Sequence, residues 1–226
     1  MKPAQVLCTS AIAACSLLSS PCLSHAAPHA AAKHPGKSHV YLMRGLLNVF
    51  SLGLDSIAAR LNQHGIQSTV HNHMQWMAVA DEAIRACKSG AENEIIFVGH
   101  SLGASAVVEM ADRLSAAGVR TALVVSIDPV TRTTAKGNAY RIINYYISSG
   151  VGKVVDRGAS FHGSLQNVDI KNDPAQGGHM FLTNSELVQQ RVFNDVVAAV
   201  AIHAPCRIGG AHAATGPTAA TRAPGT

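Results

Sequence analysis

The sequence is poor in aromatic residues, which make up only 4% of its 226 positions. Surfaces that bind nucleic acid by stacking bases use more of them, so nucleic acid is not an expected partner. Charged residues are also sparse, at 14%. The formal charge is +5, but no five basic residues stand in a row, so the excess reads as solubility rather than an anion-binding tract. Neither CxxC nor HExxH occurs, which removes the common zinc spacings and leaves no metal or cofactor to expect. A long unbroken apolar run is missing too. The apolar stretch from Val6 to Leu23 is interrupted by Ser, Thr and Pro21, a poor pattern for a membrane span.

That same N-terminal stretch reads as an export signal. Lys2 supplies the positive start, the apolar tract follows, and Ser24-His25-Ala26 has the small-x-small form of a cleavage site. Cleavage after Ala26 and a periplasmic or extracellular destination are expected. The alternative is a lipid anchor at Cys15, because Ile12-Ala13-Ala14-Cys15 resembles a lipobox. Signal removal would take Cys8, Cys15 and Cys22 with it. Cys87 and Cys206 would remain, either as a disulfide or as two separate thiols. Residues 27–38 read as a linker and residues 204–226 as a disordered tail, both rich in Ala, Pro and other small or polar residues. The folded domain is then 39–203.

Inside that domain, strand and helix patterns alternate. The buried-strand signals are Val40-Tyr41-Leu42-Met43, Ile95-Ile96-Phe97-Val98 and Leu123-Val124-Val125-Ser126-Ile127. Weaker ones lie at 66–71, 142–147 and 165–170. Helical faces are marked by Leu54, Ile57 and Leu61, by Trp76, Ala80, Ala83 and Cys87, by Ala104, Val107, Ala111 and Leu114, and by Leu187, Val192, Val196 and Val200, with Asn184 or Ser185 as possible caps of the last. Continuous apolar strands separated by helices predict an α/β fold. The expected form is a doubly wound, mostly parallel sheet of about six strands with helices on both faces. Sites in such sheets form in the loops at the carboxyl ends of the strands.

One of those loops is Gly99-His100-Ser101-Leu102-Gly103, set between a buried strand and a helix. GxSxG in that context resembles the nucleophile elbow of the α/β-hydrolase superfamily, in the wording common among lipases and thioesterases. The competing reading makes Ser101 a mere helix cap. The resemblance spans essentially all of 39–203. It implies a serine hydrolase acting on a small-molecule acyl ester or thioester, with the site order Ser, acid, His. Ser101 would be the nucleophile. His179, in Gly177-Gly178-His179-Met180-Phe181 before the last helix, would be the base, with His162 as the alternative. Asp128, directly after the strand 123–127, would be the acid, with Asp156 and Asp169 as runners-up. The backbone N–H groups of Leu102 and Leu46 would form the oxyanion hole. Arg44 stands where many relatives have His, and either steers an anionic substrate or is simply solvated. No insertion is long enough for a large lid, so an open cleft is expected. A binding or scaffold protein on the same fold, and an amidase or peptidase, are the other readings.

Overall fold

A computed structural model describes residues 37–46, 51–173 and 177–207. The stretch read as an export signal, and nearly all of those read as linker and tail, lie outside the described residues. The folded chain opens with strand β1 (Ser38–Arg44), so the first strand takes up the last residue of the stretch read as linker. It continues through α1 (Gly53–Gln63), β2 (Gln67–Asn72), α2 (Trp76–Ser89), β3 (Glu94–His100), α3 (Leu102–Ala116) and β4 (Leu123–Ile127). Then come β5 (Thr133–Ala135), β6 (Arg141–Tyr146), β7 (Val155–Arg157), β8 (Ser164–Asp169) and α4 (Glu186–Ile202).

Six strands form one wholly parallel sheet in the order β2-β1-β3-β4-β6-β8. Alternation along each strand divides the core. Val40, Leu42, Ile96 and Val98 pack with α1 and α4 on one face. Tyr41, Met43, Ile95 and Phe97 pack with α2 and α3 on the other. Both faces are therefore covered, and β3 is buried along its whole length. This is why the strand reads as an apolar run rather than as alternation. The chain winds outwards from β1 to β2, then reverses to β3 and onwards. The carboxyl ends of β1 and β3 thus flank the reversal, the place where such sheets leave a crevice.

Two features differ from the sequence reading. Strands β5 and β7 pair as a separate two-stranded sheet, which the sequence did not announce. Three residues each is too short for a periodic signal. Side chains of the main sheet hold β7 in place: Asn167 of β8 accepts from the Val155 N–H at 2.9 Å and donates to its C=O at 3.0 Å. The second difference is at the tail. Residues 204–207 pack on the domain, with Ala204 and Cys206 buried. Cys87 and Cys206 form a disulfide across 119 positions of sequence. The reading of 204–206 as disordered tail fails because the disulfide and the backbone hydrogen bonds of Cys206 to Asn93 and Arg120 hold the segment on the domain. Among the described residues, no helix is long and apolar enough to cross a membrane.

Candidate active site

β3 ends at His100 and α3 begins at Leu102, so the turn between them is a single residue. Ser101 takes φ 61° and ψ −121° to make it, a conformation that L-residues avoid. Glycines make the turn sterically possible. A Cβ on Gly99 would stand 2.2 Å from the Gly103 carbonyl oxygen, and one on Gly103 would stand 2.0 Å from that of Met43. The elbow is therefore wedged against β1, and the Ser101 side chain is carried out over the sheet edge. As the first residue of α3, Leu102 has an N–H with no intrahelical acceptor, at the positive end of the helix.

Asp128 follows β4 and also has positive φ, 50°, while being fully buried. Only one other described non-glycine residue shares that feature, His203 at the end of α4. The Asp128 carboxylate is engaged at both oxygens. Oδ1 accepts from the Ile147 N–H at 2.7 Å, and Oδ2 accepts from His179 Nδ1 at 2.7 Å. His179 opens a short 3₁₀ segment, His179–Asn184, just before α4. Its Nε2 lies 3.1 Å from Ser101 Oγ and accepts that hydroxyl's proton. Three side chains separated by up to 78 positions thus form one directed chain, Ser101 to His179 to Asp128.

The competing residues lie elsewhere. Asp156 is paired with Arg132, and Asp169 accepts from Ser148 and faces Lys171. His162 is exposed and lines a hollow near the starts of β6 and β8, at the other end of the sheet. Arg44 is ion-paired with Asp55 in the first turn of α1 and does not line the cleft.

Leu46 lies on the loop after β1, beside the cleft. Its neighbour Gly45 comes so close to the elbow that an added Cβ would stand 2.8 Å from Ser101 Cβ. The Gly45 peptide is held at both ends, its N–H donating to Ser51 Oγ at 3.1 Å and its C=O accepting from His73 Nδ1 at 3.2 Å. The cleft over Ser101 encloses about 400 Å³, and Leu46, Leu102, Val130, Val151 and Met180 give it apolar walls. No carboxylate, lysine or arginine is among its described lining residues. Among the described residues there is also no cluster of His, Cys, Asp or Glu suited to a metal ion.

Two residues of the site escaped sequence analysis, His100 and Ser51. Burial pushes the His100 imidazole down to about 4, so the ring is neutral near neutral pH. Its position inside the elbow was a usable signal. Ser51 has none, because only folding brings it to the elbow.

A family model described as serine hydrolase matches residues 55–148, a span that holds Ser101 and Asp128 and stops short of His179. Among solved structures, Est1E from Butyrivibrio proteoclasticus aligns with a TM-score of 0.50 at 10% identity, covering 73% of this chain and 88% of its own. The chain has an α/β-hydrolase fold. Human thioesterase 2 aligns at a TM-score of 0.48 and 9% identity, covering 74% of this chain and 97% of its own. A cutinase-like protein from Cryptococcus sp. aligns at 0.43 and 15% identity, covering 72% and 94%. At such identities the likeness of this chain to Est1E speaks for the fold alone. No curated protein matches this chain.

Proposed function

We propose that the protein is a serine hydrolase that cleaves carboxylic esters or thioesters through an acyl-enzyme on Ser101. The observation that carries this reading is the pair of hydrogen bonds, 3.1 Å and 2.7 Å, that join Ser101 Oγ to His179 and His179 to Asp128. A serine hydroxyl is a weak nucleophile unless a base takes its proton. His179 Nε2 takes it as Oγ bonds to the acyl carbon. Asp128 Oδ2 holds Nδ1–H, fixes the tautomer and stabilises the imidazolium. Charge collects on the former carbonyl oxygen, where the amides of Leu102 and Leu46 donate to it. His179 then protonates the departing alcohol or thiol as its bond to the acyl carbon breaks. A water molecule, deprotonated by His179, attacks the acyl-enzyme, and the carboxylic acid leaves with Ser101 restored.

The apolar, uncharged walls of the cleft favour neutral aliphatic or aromatic groups over charged ones. A fluorophosphonate probe tests the nucleophile directly. Wild-type protein is expected to take one label at Ser101 and to hydrolyse p-nitrophenyl acyl esters. Ser101→Ala is expected to take none and to lose at least about 10³-fold in kcat. Wild-type protein that neither labels nor turns over any member of an ester and thioester panel overturns the reading, and turnover confined to amides would transfer it to an amidase.

Export belongs to the same proposal. The N-terminal pattern supports it, as does the Cys87–Cys206 disulfide, since such bonds persist in oxidising compartments. The native protein is expected to begin near Ala27. Intact mass of material recovered from cells checks this, and a retained Met1 or a lipid on Cys15 contradicts it.

A further inference from the structure

His100 lies beside the nucleophile, is 1% exposed, and takes no part in the proton chain just described. Its ring centroid stands 5.0 Å from that of His179. Both ring nitrogens are engaged, Nδ1 with Ser51 Oγ at 2.8 Å and Nε2 with the backbone carbonyl of His179 at 2.9 Å. A carbonyl only accepts, so the proton is on Nε2. A neutral imidazole then offers Nδ1 as an acceptor, and the Ser51 hydroxyl must donate to it. Ser51 Oγ keeps a lone pair, which accepts the Gly45 N–H. One arrangement of protons satisfies every contact. The chain runs from Gly45 N–H to Ser51, from Ser51 O–H to His100 Nδ1, and from His100 Nε2–H to the His179 carbonyl.

This chain connects the loop after β1, where Leu46 faces the cleft, to the segment that carries His179. No backbone hydrogen bond between those two segments is present among the described residues. We infer that His100, with Ser51, is a positioning residue that sets the catalytic histidine and the oxyanion loop in register across the elbow. The inference rests on the acyl-enzyme reading above. It adds that the two halves of the machinery, the proton shuttle and the oxyanion donors, share one buried tether. Without the tether each half is free to drift, and a displacement of about 1 Å costs on the order of 10²-fold in rate.

The test uses full-length protein with kcat expressed per fluorophosphonate-labelled site, so that loss of folded enzyme does not count as loss of rate. His100→Leu, which removes both bonds, is expected to lower kcat per site by about 10- to 100-fold with KM changed far less. His100→Gln places an amide N–H near the Nε2 position and is expected to restore most of the lost kcat. His100→Asn places its polar atoms near Nδ1 only and is not expected to restore it. Ser51→Ala is expected to lower kcat too. Combined with His100→Leu it should add no more than about twofold, since both act through one chain. If His100→Leu does not fold, the Gln, Asn and Ser51→Ala variants carry the comparison. Wild-type kcat per site in His100→Leu or in Ser51→Ala, equal loss in the Gln and Asn variants, or losses that multiply in the double variant would each overturn the inference. Absence of probe labelling in the wild type would instead sink the acyl-enzyme reading, so the two failures are distinct.

Discussion

Asp128 shows how much a single side chain is asked to do. Its two oxygens each hold an N–H, one from the backbone of Ile147 and one from His179. An asparagine there offers one acceptor and one donor. Ile147 has only its N–H to give, so the acceptor must serve it and the donor must face His179. That forces the wrong imidazole tautomer, with the proton on the nitrogen that should take Ser101's. Asp128→Asn is therefore expected to lose about 10⁴-fold in kcat, the size seen for the equivalent change in a serine protease. Asp156→Asn and Asp169→Asn should stay near wild type; steady-state ester hydrolysis across the three variants decides between them. The loop over the acid is equally exacting. A Cβ on Gly152 would stand 1.9 Å from Asp128 Oδ1, with the Ile147 amide nitrogen 2.9 Å away. Gly152→Ala should displace the carboxylate and lower kcat by on the order of 10²-fold, while thermal melting shows a folded protein.

Elements succeed one another here because each hides what its neighbours expose. α3 lays Ala104, Val107, Val108, Ala111 and Leu114 on the sheet, and its far side meets the residue that follows β5. There Asp112 Oδ1 accepts from the Lys136 N–H at 2.8 Å. Burial lifts the Asp112 carboxyl to about 6 from an ordinary value of 3.8. Between those values the folded chain binds more protons than the unfolded one, so stability falls as pH rises through the window. The penalty is complete above about 6 and absent below 3.8. Asparagine keeps the acceptor for Lys136 and discards the charge. Asp112→Asn should raise the urea midpoint at pH 8, with the gain shrinking as pH is lowered towards 4. A gain independent of pH would disprove the account.

At the scale of the whole molecule, the disulfide ties the last turn of α2 to the chain beyond α4. Backbone bonds reinforce the junction, from Cys206 N–H to the Asn93 carbonyl and from Arg120 N–H to the Cys206 carbonyl. The bridge closes a loop spanning more than half the sequence, so it removes much of the unfolded chain's freedom. Cys206→Ser is expected to cost about 2–5 kcal/mol in denaturant unfolding. Because the bridge lies at the starts of β1 and β3, away from the cleft, kcat per labelled site should not change. Wild-type protein in reductant should show the same loss of stability, and an unchanged midpoint in both cases would show that the bridge contributes nothing.

The sequence by itself determined the sheet and its winding. Strands buried on both faces must be apolar along their length, and helices packed on them must repeat every three to four residues. Both patterns are local, so β1, β3, β4 and all four helices were legible within a residue or two. The elbow was legible for the same reason, since glycines at 99 and 103 answer to sterics within one turn. The three side chains gathered at the sheet edge were nameable in order, and Asp128 was preferred to Asp169 because it directly follows a buried strand, but that preference rested on place in the chain and not on any contact. Tertiary structure separates the two by giving Asp169 to Ser148 and setting the fully buried Asp128 carboxylate 2.7 Å from His179 Nδ1. It alone also decided that Cys87 meets Cys206, that Val155 pairs through Asn167, and that Ser51 reaches His100. These contacts join residues from 12 to 119 positions apart. No local pattern encodes them, because they are set by where the packed core leaves each loop.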